Sequence, residues 1–182
     1  MKLHIITILA ACPMLCGAMQ PQTPMPDLIH YRTWKVVNEK RYFVPDRVAV
    51  LCAAPVAATR NPSPHRDKYI SVYVNPIGQK EILARHVTTY PVGTVVVKDK
   101  FIGRTGGTTE LSTVMIKRER GYNPTGGDWE YAVLNGKSTL VERGRIARCQ
   151  SCHAARRNQD FVFRTYRPGA PANPWKEGSL LP

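Results

Sequence analysis

Leu111-Ser-Thr-Val-Met-Ile-Lys117 and Trp129-Glu-Tyr-Ala-Val-Leu134, joined through Gly121-Tyr-Asn-Pro-Thr-Gly-Gly127, are the runs on which the fold turns. Both are rich in β-branched and aromatic residues, and the connection is built from residues that reverse the chain, so they read as an antiparallel pair. Asn135-Gly136 follows at once as a further hairpin signal. Towards the N-terminus, Thr94-Val-Val-Val-Lys98 reads as a strand introduced by Pro91-Val-Gly93, with a Gly/Thr-rich loop after it at residues 103–109. Tyr69-Ile-Ser-Val-Tyr-Val74 is another strand, closed by Asn75-Pro76, and residues 78–85 suit one or two helical turns. Leu28, Ile29, Tyr31, Trp34 and Val37 predict a short helix over residues 27–37 with Asp27 as its cap. Residues 20–26 form a Pro-rich tether and residues 60–65 a proline-punctuated loop. Beyond the strands, residues 146–156 predict a short helix and Phe161-Val-Phe163 a closing strand. There is no internal repeat or linker. The expectation is a mainly β fold of the α+β class, an antiparallel sheet with a few short helices, forming a single domain over residues 19–182.

The predicted C-terminal helix carries Cys149-Gln-Ser-Cys152-His153. Two thiols separated by two residues and followed directly by an imidazole form the attachment signature of a c-type haem. The sulfurs can form thioethers to the haem vinyls, and His153 is placed to ligate iron from one face. A zinc site needs two more ligands at matching spacing, and only Cys52 remains once the N-terminal segment is gone. A thioredoxin-type dithiol sits early in a βαβ unit, and none surrounds this motif. The expected cofactor is therefore one covalent haem c per chain, with Cys149, Cys152 and His153 binding it and His153 as the metal ligand.

Residues 1–18 read as an export signal: Lys2 supplies the positive charge, residues 3–11 are mostly apolar, and Pro13 breaks the run before Cys16-Gly17-Ala18 offers a cleavage site. Haem is attached to this motif outside the bacterial cytoplasm, so signal and motif agree on a periplasmic or secreted protein. Leu9-Ala10-Ala11-Cys12 also resembles a lipobox, which would place a lipid anchor on Cys12. Cys52 then reads as a small buried apolar residue, or, if the lipobox is used, as a partner for Cys16. The formal charge of +13 suits an anionic partner surface. Arg143, Arg145, Arg148, Arg156 and Arg157 cluster around the haem motif. They form either a docking face for an acidic electron-transfer partner or a solvated face with one or two arginines paired to haem propionates. Nucleic acid is not an expected partner, because these cations are not interleaved with exposed aromatics and export removes the usual target.

A haem motif placed after a series of strands separates this chain from the small helical electron carriers, which have it near the N-terminus, and from four-helix cytochromes. Tyr69-Ile-Ser-Val-Tyr-Val-Asn-Pro76, Pro91-Val-Gly-Thr-Val-Val-Val-Lys98, Met115-Ile-Lys-Arg-Glu-Arg-Gly-Tyr-Asn-Pro124, Gly127-Asp-Trp-Glu-Tyr131 and Cys149-Gln-Ser-Cys-His153 followed by Asp160-Phe-Val-Phe163 together resemble the cytochrome P-460 family, in the family's order, over about residues 30–167. The resemblance implies a β-rich, usually dimeric monohaem protein. Its best-known members oxidise hydroxylamine, and the related β-type cytochromes c′ bind nitric oxide without obvious turnover. It further implies a lysine joined covalently to the haem macrocycle, and Lys98 is the residue that matches. Thr94, Val96, Lys98 and Lys100 share one face of the strand at period two, so only the motif register selects Lys98 over Lys100. Members that turn over carry a distal glutamate on the following strand. This sequence departs there: Thr113 takes the aligned position, Glu110 stands three residues earlier and Glu119 lies beyond the strand. Glu110 is the candidate distal base if the loop shifts, and otherwise a loop-edge carboxylate.

Three functions remain open from the sequence. An oxidoreductase acting on hydroxylamine or a related nitrogen oxide requires open iron and benefits from a proton acceptor. A nitric-oxide-binding protein requires the open iron alone. An electron carrier would instead use a sixth ligand, for which Met115 is the candidate against its plainer role as a core methionine. Trp129, Tyr131, Phe161 and Phe163 are expected to pack the core and the haem pocket.

Overall fold

The computed structural model describes residues 24–44, 68–102, 105 and 107–172. Within them one antiparallel sheet holds β1 Lys35–Val36, β2 Tyr42–Val44, β3 Lys68–Val74, β4 Val95–Ile102, β5 Thr109–Lys117, β6 Trp129–Asn135 and β7 Leu140–Gly144. The strands run in the order β1-β3-β4-β5-β6-β7, with β2 pairing β3 as well. From β3 onward each strand lies beside its successor in sequence, a meander whose connections stay local. The helices are α1, Gln79–Leu83, and α2, Ala147–His153.

Alternation along the strands gives the sheet two apolar faces. On one, Val72, Val74, Val96, Met115, Tyr131 and Val133 pack with Ile82, Ile146, Phe161 and Val162, and Cys149 lies against them. On the other, Val95, Val97, Val114, Ile116, Ala132 and Leu134 are covered by Tyr31, with Leu28 and Trp34 beside it. The second face also encloses a charge. Asp99, fully buried, accepts from Tyr31 Oη and Ser112 Oγ at 2.6 Å each and from Arg32 Nε at 3.2 Å. Those bonds satisfy a carboxylate that would otherwise be costly to bury and tie the N-terminal segment down onto the sheet.

That tie explains a departure from expectation. Residues 27–37 do not form a helix: only a 3-10 turn is present at Tyr31–Thr33, and the chain then extends into β1. Asp27 does accept from the Ile29 amide at 2.8 Å, as a cap would, but Trp34 is already extended and the Val37 amide bonds to Val72 O. Pairing to β3 outweighs a weak helical period that ends in Val36-Val37. A second departure lies at Phe161-Val-Phe163, which is not a strand. Asp160 and Phe161 both adopt positive φ, 50° and 64°, which is incompatible with a sheet edge. The predicted helix over residues 146–156 is shorter, Ala147–His153, and a 3-10 run, Ala154–Gln159, continues it. The other strands appear as expected, with β4 running four residues past Lys98 and the Asn135-Gly136 hairpin leading into β7. The export signal, Cys12, Cys16, Cys52, residues 60–65 and, in the loop at residues 103–109, residues 103, 104 and 106 lie outside the described residues.

Candidate functional site

His153 ends α2 and projects towards the first apolar face of the sheet. Its ring lies 5.3 Å from Tyr131 and 5.1 Å from Phe163, centroid to centroid. Its Nδ1 is 2.6 Å from the Phe161 carbonyl, which can only accept, so the proton sits on Nδ1 and the Nε2 lone pair is available to a metal. Burial pushes the imidazole down to about 4, with Lys98 adding to the fall and the Phe161 carbonyl opposing it. His153 is thus neutral at neutral pH, the protonation state that ligates iron.

The carbonyl that orients His153 is itself held on every side. Asp160 N donates to Arg157 O at 3.2 Å and Phe161 N to Arg156 O at 2.8 Å, while Trp129 Nε1 donates to Asp160 O at 2.8 Å. The Asp160 carboxylate accepts from Lys117 Nζ at 2.6 and 2.8 Å and from the Tyr90 amide at 2.7 Å. Lys117 also donates to Gly127 O at 2.8 Å. Two successive left-handed non-glycine residues are unfavourable alone and persist here because the surroundings over-determine them. Gly127 belongs to this packing: at φ 66° it brings its α-carbon so close to Phe161 that an added Cβ would lie 2.5 Å from the ring. The sequence offered Asp160 and Lys117 only as members of motif blocks. Their pairing across 43 positions in the chain had no local signal.

Lys98 reaches this region from β4. It pairs with Val72 on one side and Thr113 on the other, and Thr113 in turn with Val133. On this face of β3 to β6 the neighbouring positions are buried, whereas Lys98 and Thr113 stay partly exposed. The accessible patch of sheet therefore sits where the lysine acts electrostatically on His153. Cys149 is half-buried and Cys152 exposed, one helical turn apart on α2. The Tyr131 hydroxyl is buried with no hydrogen-bond partner, and its proton is held more tightly by burial first and then by Cys149 and Cys152. A planar macrocycle fits these groups: two thiols and a correctly protonated imidazole on α2, facing a sheet patch whose floor is a lysine and a threonine.

Glu110 is placed differently. The pairing of β4 with β5 shifts between Lys100 and Phe101, leaving Glu110 as the extra residue of a bulge. Its Oε2 lies 3.1 Å from Lys68 Nζ and 3.7 Å from Lys100 Nζ. Both lysines alternate onto the Lys98 face, so Glu110 faces the correct side but is spent as their counter-ion at the sheet's end. Thr113 holds the position opposite Lys98, and Glu119 is exposed beyond β5. Met115 is buried between Val96 and Tyr131 in the core. The arginine cluster is divided. Arg143 bonds Glu130 at 2.5 Å and Arg148 bonds Glu142, whereas Arg156 and Arg157 lie over Phe163 and Phe161 at 5.0 and 5.8 Å. Among the described residues no helix is long and apolar enough to cross a membrane.

Compared with known proteins, residues 30–164 match the family model for cytochrome P-460. No curated protein matches the chain.

Proposed function

Because the chain belongs to the cytochrome P-460 family of haem c proteins, we propose that it is an exported monohaem oxidoreductase acting on hydroxylamine or a related nitrogen oxide. In this reading Cys149 and Cys152 are the thioether donors, His153 is the proximal iron ligand and Lys98 is joined to the macrocycle. The bound haem supplies an iron with an open position for a small nitrogen ligand and a route for its electrons. The observation that carries the reading is the exposure of Lys98 and Thr113 on an otherwise buried sheet face, beside an imidazole whose Nδ1 proton is committed to Phe161. The hydrogen bond at Nδ1 fixes the ring and makes Nε2 a better donor. Tyr131 and Phe163 confine the imidazole, and the surrounding aliphatic core excludes water from that side. A homodimer and an acidic electron-transfer partner belong to the same proposal, with Arg145, Arg156 and Arg157 as the docking cations outside carboxylate ion pairs.

One observation favours a second reading, nitric oxide binding without turnover. The position opposite Lys98 is a threonine, and the nearby carboxylate of Glu110 is engaged by Lys68 and Lys100. Removing protons from hydroxylamine is slow without a placed base, whose contribution is typically on the order of 10²–10⁴-fold. The test is steady-state oxidation of hydroxylamine by the haem-loaded protein with an artificial electron acceptor, beside Thr113→Glu. We expect measurable acceptor reduction, rising by about 10²-fold in the variant. A ferrous nitric oxide adduct with no acceptor reduction in either protein would select the binding reading.

A further inference from the structure

A cavity of about 450 Å³ is lined by Arg85, His86, Arg156, Arg164 and Arg167, and no aspartate or glutamate is among the described residues of its wall. Arg164 is the deepest of these at 5% exposed. Its Nε donates to Ile82 O at 3.2 Å and its Nη2 to Ala84 O, where α1 ends. Capping those carbonyls occupies part of a five-donor guanidinium and leaves its full charge without a counter-ion among the described residues. None of the ion pairs among the described residues involves Arg85, His86, Arg156, Arg164 or Arg167. The Arg167 guanidinium donates to Pro168 O at 3.0 Å. A buried guanidinium beside other cations, with no anion among the described residues, favours the uptake of one. Burial and the neighbouring Arg167 accordingly push the Arg164 guanidinium below its ordinary value.

We propose that this cavity is an anion site, in which Arg164 and Arg167 take a carboxylate or a small oxyanion in charge-assisted, forked hydrogen bonds. Two sources carry that chemistry. One is a haem propionate, since Arg156 lies over Phe163 and Phe163 packs on His153; this source rests on the haem reading. The other is a free oxyanion, which does not.

The haem-loaded protein, prepared in phosphate-free buffer, is titrated with inorganic phosphate by calorimetry, and its midpoint potential is measured in the same buffer. Arg167→Ser is the variant, because Arg167 lies at the rim and anchors no other element. Arg145→Ser, an exposed arginine outside the cavity, is the control. For a free oxyanion, one saturable phosphate site per chain is expected, weakened about tenfold or more by Arg167→Ser and unaffected by Arg145→Ser. For a propionate, phosphate does not bind, and Arg167→Ser lowers the potential more than Arg145→Ser does. Absence of saturable binding together with equal potentials in the two variants overturns the proposal, as does phosphate binding that ignores Arg167. A phosphate site weakened by Arg167→Ser supports the free-oxyanion source whatever the outcome of the haem assignment, so the two failures are distinguishable.

Discussion

A Lys117→Met variant is expected to lose about 3–5 kcal/mol of folding stability, because it leaves the Asp160 carboxylate buried without its counter-charge. Both side chains are more than nine-tenths buried and 2.6 Å apart, so solvent screens the pair little. Asp160 holds the turn that carries the Phe161 carbonyl, and the loss is therefore also chemical. When that turn relaxes, His153 Nδ1 loses its acceptor and the imidazole becomes a weaker donor at Nε2. Denaturant titration reads the first effect, and the iron–histidine stretching frequency of the ferrous protein, moving lower, reads the second. The double variant Lys117→Met with Asp160→Asn removes both charges while leaving an amide oxygen for the Tyr90 amide. It is expected to recover much of the stability. A single variant that costs under about 1 kcal/mol, the scale of a surface pair, and leaves the stretching frequency in place would show that the pair does not position His153.

Replacing both Cys149 and Cys152 with serine is expected to turn haem that resists acid-acetone extraction into haem that is extracted almost completely. The two thiols lie one turn apart at the end of α2, and both act on the buried Tyr131 hydroxyl. Cys149 packs against the buried core of the first sheet face, to which His153 also points, and Cys152 is exposed one turn on. Serine preserves the size and polarity of each position but cannot form a thioether, so the variant isolates the bond rather than the pocket. Haem that survives extraction in the double variant contradicts attachment through these sulfurs.

The central sheet was legible because β3, β4, β5 and β6 each concentrate β-branched and aromatic residues between strong turn signals. The haem motif was legible because its chemistry is confined to five consecutive residues. What sequence reading missed depended on distant partners. Residues 27–37 look amphipathic in isolation, yet Tyr31 and Arg32 reach Asp99, and β3 offers Val37 a backbone partner. Phe161-Val-Phe163 has strand composition, but its hydrogen-bonding groups are claimed by Arg156 and His153. β1, β2 and β7 are short and lie at or beside the edges, where pattern is weakest. The bulge that turns Glu110 towards Lys68 and Lys100 follows from a one-residue mismatch between β4 and β5 that neither strand shows alone.

The proposal that sets this chain's chemistry apart from that of an ordinary c-type cytochrome is that Lys98 joins the macrocycle, and the ferrous optical spectrum tests it most directly. A macrocycle bonded to Lys98 has altered conjugation, so the account predicts a main band shifted to the red in the haem-loaded protein. The shift should survive denaturation and disappear in Lys98→Arg. An ordinary five-coordinate c-haem spectrum, the same in the parent protein and in Lys98→Arg, would contradict it.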